Sequence, residues 1–154
     1  MISDKWIMMG ASAGAHLALL HAYKYPAPVK IKAVVDFFGP TNLVELYNNP
    51  GVIPPSAIAS IIGFTPAQNL ALYQQSSPVN YVNSAACATI ILQGTADLLV
   101  NHISQSQALY NLLNAAAVPS QYVVYANKGH GDWDAATFAD AFTNIQAFVQ
   151  RYNP

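Results

Sequence analysis

The chain has 154 residues, a length that suits one domain built on one core. Hydrophobic residues make up 53% of it and charged residues 8%, where an ordinary globular domain carries about 25% charged residues. The net charge of −1 excludes an electrostatic footprint for nucleic acid or an anionic membrane surface, and so few charges leave much surface neutral or apolar, as in a chain that self-associates or lacks a covering surface.

Four short apolar runs read as buried parallel strands, at residues 6–9, 33–38, 89–92 and 122–125. Residues 12–25 between the first two form an Ala/Leu-rich helical pattern that stops at Pro26. Residues 39–84 differ: they hold Pro40, Pro50, Pro54, Pro55, Pro66 and Pro78 among many Asn, Gln and Ser residues. This stretch reads as an irregular insertion with short helices at 56–62 and 66–73, and long connections of this kind usually serve as functional loops or lids. Further on, residues 104–117 carry Leu109, Leu112 and Leu113 at helical spacing, and residues 134–152 carry Phe138, Phe142, Ile145 and Phe148 on one stripe. The order predicts a single α/β domain over residues 1–154, an open, mainly parallel sheet of about four strands with flanking helices.

Cys87 is the only cysteine, which excludes a disulfide within the chain and reads as a buried thiol. The sequence shows no leader pattern and no apolar stretch near the roughly 18 residues that span a bilayer, so no membrane partner is expected and no compartment is legible.

The first strand runs into Gly10-Ala11-Ser12-Ala13-Gly14 and then into a helix. A G-x-S-x-G turn of this kind lifts a serine hydroxyl above the carboxyl end of a strand. Such a tight turn predicts a strained backbone at Ser12 and small neighbours, here Gly10 and Gly14. The serine becomes a nucleophile only if a base reaches it. In open α/β sheets, reactive groups gather beyond the carboxyl ends of strands. Asp97 follows the third strand in Gln93-Gly94-Thr95-Ala96-Asp97, and His130 follows the fourth in Asn127-Lys128-Gly129-His130-Gly131-Asp132. An imidazole at His130 would take the serine proton and return it to a leaving group, and a carboxylate at Asp97 would hold the ring's tautomer. Gly129, Gly131 and Gly94 would let these loops approach the serine.

Other residues compete for these roles. Asp36 is a rival acid, but it lies inside an apolar run and reads as a structural hydrogen-bonding group. Asp97 itself also fits a turn or helix N-cap. Asp132 and Asp134 suit the start of the last helix. His16 and His21 stand five apart, off a shared helix face, and His102 reads as a surface or helix-start residue, so no metal site is expected. The strand, GASAGA turn and helix, with Asp36 about 20 residues on, also mimic a dinucleotide fingerprint. That reading puts Ser12 where a glycine must admit the pyrophosphate, and it leaves Asp97 and His130 without a purpose.

Together, the GASAG, GTADLLV and NKGHGD segments resemble the α/β-hydrolase family, most closely bacterial carboxylesterases of the lipase and feruloyl-esterase-like groups, in which SAGxHLA follows the serine. The resemblance covers nearly the whole chain but only the C-terminal half of the family fold. It implies Ser12 as nucleophile, Asp97 as orienting acid, His130 as base and the Ala13 amide as oxyanion donor. The implied reaction is carboxylic ester hydrolysis through an acyl-serine, on a small or medium neutral acyl or aryl ester, with no cofactor; residues 39–84 and Leu98-Leu99 would line the acyl side. The first family strands and the His-Gly-Gly-type oxyanion loop have no counterpart in this sequence. The serine-bearing strand is therefore expected at an open edge, covered by a second copy in a homodimer or by a missing N-terminal half, with turnover slowed by an incomplete oxyanion hole. A catalytically silent binding module that keeps the hydrolase outline is the alternative.

Overall fold

The computed structural model describes residues 6–25 and 28–152. Four strands, β1 (Trp6–Ala11), β2 (Ile31–Phe37), β3 (Ala88–Gly94) and β4 (Ser120–Tyr125), form one sheet in the order β1-β2-β3-β4, each pair parallel. The helices are α1 (Ala13–Lys24), α2 (Leu43–Asn48), α3 (Pro55–Ile62), α4 (Leu70–Gln75), α5 (Ala108–Ala115) and α6 (Ala135–Tyr152).

When strand order follows chain order, right-handed crossovers put every connecting helix on the same face. Here α1 and α5 share an apolar cluster with Val34 of β2 and Ile91 of β3. The opposite face, with Ala33, Val35, Ile90 and Leu92, is covered by Ala141, Ile145 and Phe148 of α6. β2 and β3 are thus buried on both sides, as their unbroken apolar runs predict. All four carboxyl ends point the same way, which brings the loops after Ala11, Phe37, Gly94 and Tyr125 to one rim.

Every strand is longer than its apolar run. β1 continues through Gly10 and Ala11, β3 through Gln93 and Gly94, and β4 starts at Ser120. The apolar residues mark only the part buried between layers, whereas the hydrogen-bond ladder accepts any residue with an N–H. Pro26, the expected end of the first helix, lies outside the described residues; α1 itself ends at Lys24.

The Pro-rich insertion is more regular than expected. It holds three short helices and a 3-10 turn at Pro78–Tyr81. α2 has six residues, too few for a period to show, and is started by Asn42, whose side chain accepts the Glu45 N–H at 3.1 Å. The helix expected at 66–73 starts at Leu70, because Thr65 and Gln68 close a turn on each other and Asn69 caps the helix, accepting the Leu72 N–H at 3.0 Å. The expected helix at 104–117 begins instead as a π-helical segment, His102–Gln107, that runs into α5. Its wider winding turns Gln105 and Ser106 inward, where both are buried and hydrogen-bonded.

β1 is an edge strand of this sheet, and its Trp6 and Met9 side chains are exposed. Cys87 is a half-buried free thiol, and burial pushes its pKa up to about 12, which keeps it protonated and unreactive. Among the described residues, no helix is long and apolar enough to cross a membrane.

Candidate active site

Ser12 stands between β1 and α1 with φ 53° and ψ −122°, in the left-handed region that L-residues avoid. Its N–H donates to the Phe37 carbonyl at 2.8 Å, and its own carbonyl accepts the His16 N–H at 3.0 Å, so the turn is tied to both β2 and α1. A serine at this position would ordinarily cap the helix with its hydroxyl. Here the side chain makes no cap bond. The hydroxyl is left for another partner, and the backbone strain persists because the surrounding bonds over-determine the turn.

Gly10 makes the turn possible. A Cβ there would lie 2.3 Å from the Gly14 carbonyl carbon and 2.5 Å from the Ala15 nitrogen, so α1 folds back directly over β1 only if position 10 lacks a side chain. Gly14, read as equally necessary, is not: a Cβ there meets nothing within 4 Å. Its backbone carbonyl forms the crowded contact with Gly10, but its own Cβ direction points to an exposed side of the first turn of α1. Gly10→Ala is therefore expected to lower stability by about 1–3 kcal/mol and to move Ser12, whereas Gly14→Ala costs less than about 1 kcal/mol. Thermal melting of the two variants side by side checks this, and an equal effect at both positions would refute it.

The partner of the Ser12 hydroxyl is His130. Ser12 Oγ and His130 Nε2 are 2.8 Å apart, and His130 Nδ1 and Asp97 Oδ2 are 2.7 Å apart. An ionised carboxylate only accepts, so the ring proton sits on Nδ1, and in the neutral imidazole Nε2 accepts the serine O–H. The three side chains singled out in the sequence thus form one directed hydrogen-bonded chain across residues 118 positions apart.

Asp97 is buried and fully engaged. Its Oδ2 also accepts from Gln93 Nε2 at 2.8 Å, and its Oδ1 accepts the N–H groups of Leu99 and Val100 at 2.8 and 2.9 Å. Burial opposes its ionisation, but the bonds from His130 and from the Val100 and Leu99 amides outweigh it, and the carboxyl lies below its usual range. The turn role and the His130-orienting geometry, weighed as rivals from the sequence, are both present: one carboxyl oxygen shapes the loop and the other faces the ring.

Three supporting residues were not singled out from the sequence. Gln93 donates to Asp97 while its Oε1 accepts the Ser106 hydroxyl at 2.8 Å, which fixes its orientation. Phe38, at a strained φ of 44°, packs against the His130 ring at a tilt of 58°, with centroids 4.6 Å apart. Trp133 donates its indole N–H to the Gly129 carbonyl at 3.0 Å and holds the histidine loop down. The acid and histidine loops also touch directly, because a Cβ at Gly94 would lie 2.1 Å from the Lys128 carbonyl oxygen. A buried glutamine at a strand end was the one signal in the sequence that could have pointed to this support.

Ala13 heads α1, where the first amides have no partner within the helix. Asp36 lies in β2 beside Gly10 of β1, fully buried, its Oδ1 accepting the Gly39 N–H at 2.8 Å. It makes no hydrogen bond to His130, in keeping with its structural reading. Asp134 starts α6 by accepting the Thr137 N–H at 2.8 Å and pairs with Lys128, whereas Asp132 packs against Gly129 in the histidine loop and not on the helix. His16 donates Nδ1–H to the Pro40 carbonyl at 2.9 Å, and burial lowers its pKa, so the ring stays neutral. His102 opens the π-helical segment, as expected of a helix-start residue. A cavity of about 270 Å³ opens beside Ser12, Ala13, His16 and His130.

The chain is similar to proteins of one chemical kind. It is 27% identical over 138 residues to the esterase LipQ of Mycobacterium tuberculosis, covering 83% of this chain and 33% of that protein. It is 25% identical over 128 residues to dipeptidyl-peptidase 5 of Schizosaccharomyces pombe, covering 83% of this chain and 18% of that protein. The chain thus spans between about a fifth and a third of the length of these relatives. Among solved structures, a puromycin-hydrolyzing peptidase of Mycobacterium tuberculosis superposes with a TM-score of 0.84 at 23% identity, over 97% of this chain and 22% of that one. A truncated carbohydrate esterase from gut microbiota superposes with a TM-score of 0.76 at 23% identity, over 92% and 59%. These likenesses identify the fold as that of the α/β-hydrolases, whose members here are esterases and peptidases. The BD-FAE family model matches residues 2–113, and on that match the chain belongs to the BD-FAE family of α/β-hydrolases.

Proposed function

We propose that this chain is a serine hydrolase that cleaves carboxylic esters through an acyl-serine intermediate. The observation that carries the reading is the chain of hydrogen bonds from Ser12 Oγ through His130 to Asp97, at 2.8 and 2.7 Å, opening on a cavity. Similarity to an esterase supports ester chemistry, and similarity to a peptidase supports the wider hydrolase class.

In this mechanism the Ser12 Oγ bonds to the ester carbonyl carbon while its proton passes to His130 Nε2. The ester C–O bond breaks, and the same proton goes to the departing alcohol oxygen. Water then enters and gives a proton to His130 Nε2 as its oxygen bonds to the acyl carbon; the acyl–Oγ bond breaks and His130 returns that proton to Ser12 Oγ, which frees the acid and restores the serine. Asp97 stays ionised throughout and stabilises the transient imidazolium. The Ala13 N–H faces the developing oxyanion. Each donor in such a hole is worth about 10²–10³ in rate.

A fluorophosphonate probe tests the reading. The folded chain is expected to gain one covalent adduct, mapped to Ser12 by mass spectrometry, and Ser12→Ala is expected to gain none. Folded protein that stays unlabelled under prolonged exposure would make the chain a silent module.

A further inference from the structure

We infer that the ester this site takes carries a medium-length aliphatic acyl chain, seated in the cavity between α2, α3 and the acid loop. The inference rests on the serine hydrolase reading above.

The walls of the cavity are almost wholly hydrocarbon. Leu43 and Leu46 come from α2, Ile58, Ile61 and Ile62 from α3, and Leu99 from the acid loop. Its polar side chains are Ser12, His16 and His130, the serine and histidine of the reacting end and a neutral imidazole. Among the described residues no carboxylate or ammonium lines it, so none of them pairs with the charged terminus of a peptide. A phenolic acyl group would bury its ring hydroxyl against leucine and isoleucine without a partner, which is unfavourable. A saturated chain meets no such obstacle.

Ile61 adds an independent point. It is 84% exposed, the most exposed large apolar side chain of the described residues, and it still lines the cavity. Packing of the small core beneath uses Leu43, Leu46, Ile58 and Tyr73 and does not need it. An isoleucine at the mouth gains contacts when a hydrocarbon enters.

Size sets the length. A 150 Å³ apolar cavity accommodates benzene, so 270 Å³ holds about ten carbon atoms. The acyl half of the ester remains on Ser12 while alcohol leaves and water arrives, so it is the half that gains from a walled cavity. The alcohol has to depart past His130.

The test is kcat/KM on p-nitrophenyl acetate, butanoate, octanoate and palmitate, beside a series of acetates of longer alcohols. The acyl series is expected to rise about fourfold per methylene until the cavity fills, then level or fall at palmitate. The alcohol series is expected to stay flat. Ile61→Asp, a change outside the core, is expected to reduce the octanoate-to-acetate ratio about tenfold. In Ser12→Ala, where no turnover intervenes, calorimetry is expected to find octanoate binding at least tenfold tighter than ferulate. Rates independent of acyl length, a rise along the alcohol series, or preferred binding of ferulate would each overturn the inference while leaving the hydrolase reading intact. An absence of fluorophosphonate labelling would sink the hydrolase reading, and the binding comparison would still decide the cavity's occupant.

Discussion

His130→Ala is expected to slow acylation of Ser12 by about 10⁴–10⁶-fold while the chain stays folded. His130 is the only base within hydrogen-bond reach of the serine hydroxyl among the described residues, at 2.8 Å. Without it the hydroxyl remains protonated and a poor nucleophile. The fold should tolerate the loss. Asp97 keeps three of its hydrogen bonds, from Gln93, Leu99 and Val100, and is not stranded as an unpaired buried charge. Single-turnover acylation with an activated ester measures the rate, and circular dichroism through a thermal melt measures the fold. A folded variant that acylates within tenfold of the parent would remove His130 from the mechanism. Asp97→Asn is a companion with a different signature: the amide offers N–H where the ring needs an acceptor, so the tautomer is lost with the geometry nearly intact.

Asp36→Asn is expected to stabilise the chain, and increasingly so as pH rises from about 4 to about 7. Burial raises the Asp36 carboxyl from 3.8 to about 7, against the single opposing bond from the Gly39 N–H, and its Oδ2 has no partner among the described residues. The folded pKa is therefore the higher one. Below 3.8 the group is neutral in both folded and unfolded chains, and it costs no stability. Between 3.8 and about 7 the unfolded chain releases the proton and the folded chain holds it, so stability falls as pH rises. Above about 7 the loss is complete, on the order of 4 kcal/mol. Asparagine keeps the acceptor for Gly39 and cannot ionise, so its advantage over Asp36 should grow across that window and then level. Urea unfolding of both proteins at several pH values measures it. A constant difference across the window would show that Asp36 is solvated in the folded chain. The location adds interest, because Asp36 pairs with Gly10 in the sheet and its contacts reach Gly39 against Ala15 and His16. An ionised Asp36 would strain the base of the serine turn.

Much of this molecule was legible in one dimension. A buried parallel strand is a short unbroken apolar run, and four such runs set the sheet. A glycine-flanked serine between strand and helix marks a tight turn, and the carboxyl-end rule then pointed to Asp97 and His130. Where the reading fell short, the cause is the same each time. α2 is too short to express a period, and its start is set by Asn42, which in turn is held by Gln105 across 63 positions. The π-helical winding before α5 arises because Gln105 and Ser106 must reach Thr41 and Gln93. Gly14 looked as constrained as Gly10 because a motif lists both, whereas only the contact between α1 and β1 separates them.

The amino-acid sequence by itself determined the parallel α/β order, the strained serine and the identity of its two distant partners. These follow from local sterics, from apolar runs and from the rule that a parallel sheet aligns its strand ends. Tertiary structure alone decided that Gln93 and Phe38 fix the acid and the ring, that Asp36 is cut off from water, and that two short helices wall a hydrocarbon cavity. Each of those depends on the distance between residues far apart in the chain, and no local pattern carries that distance.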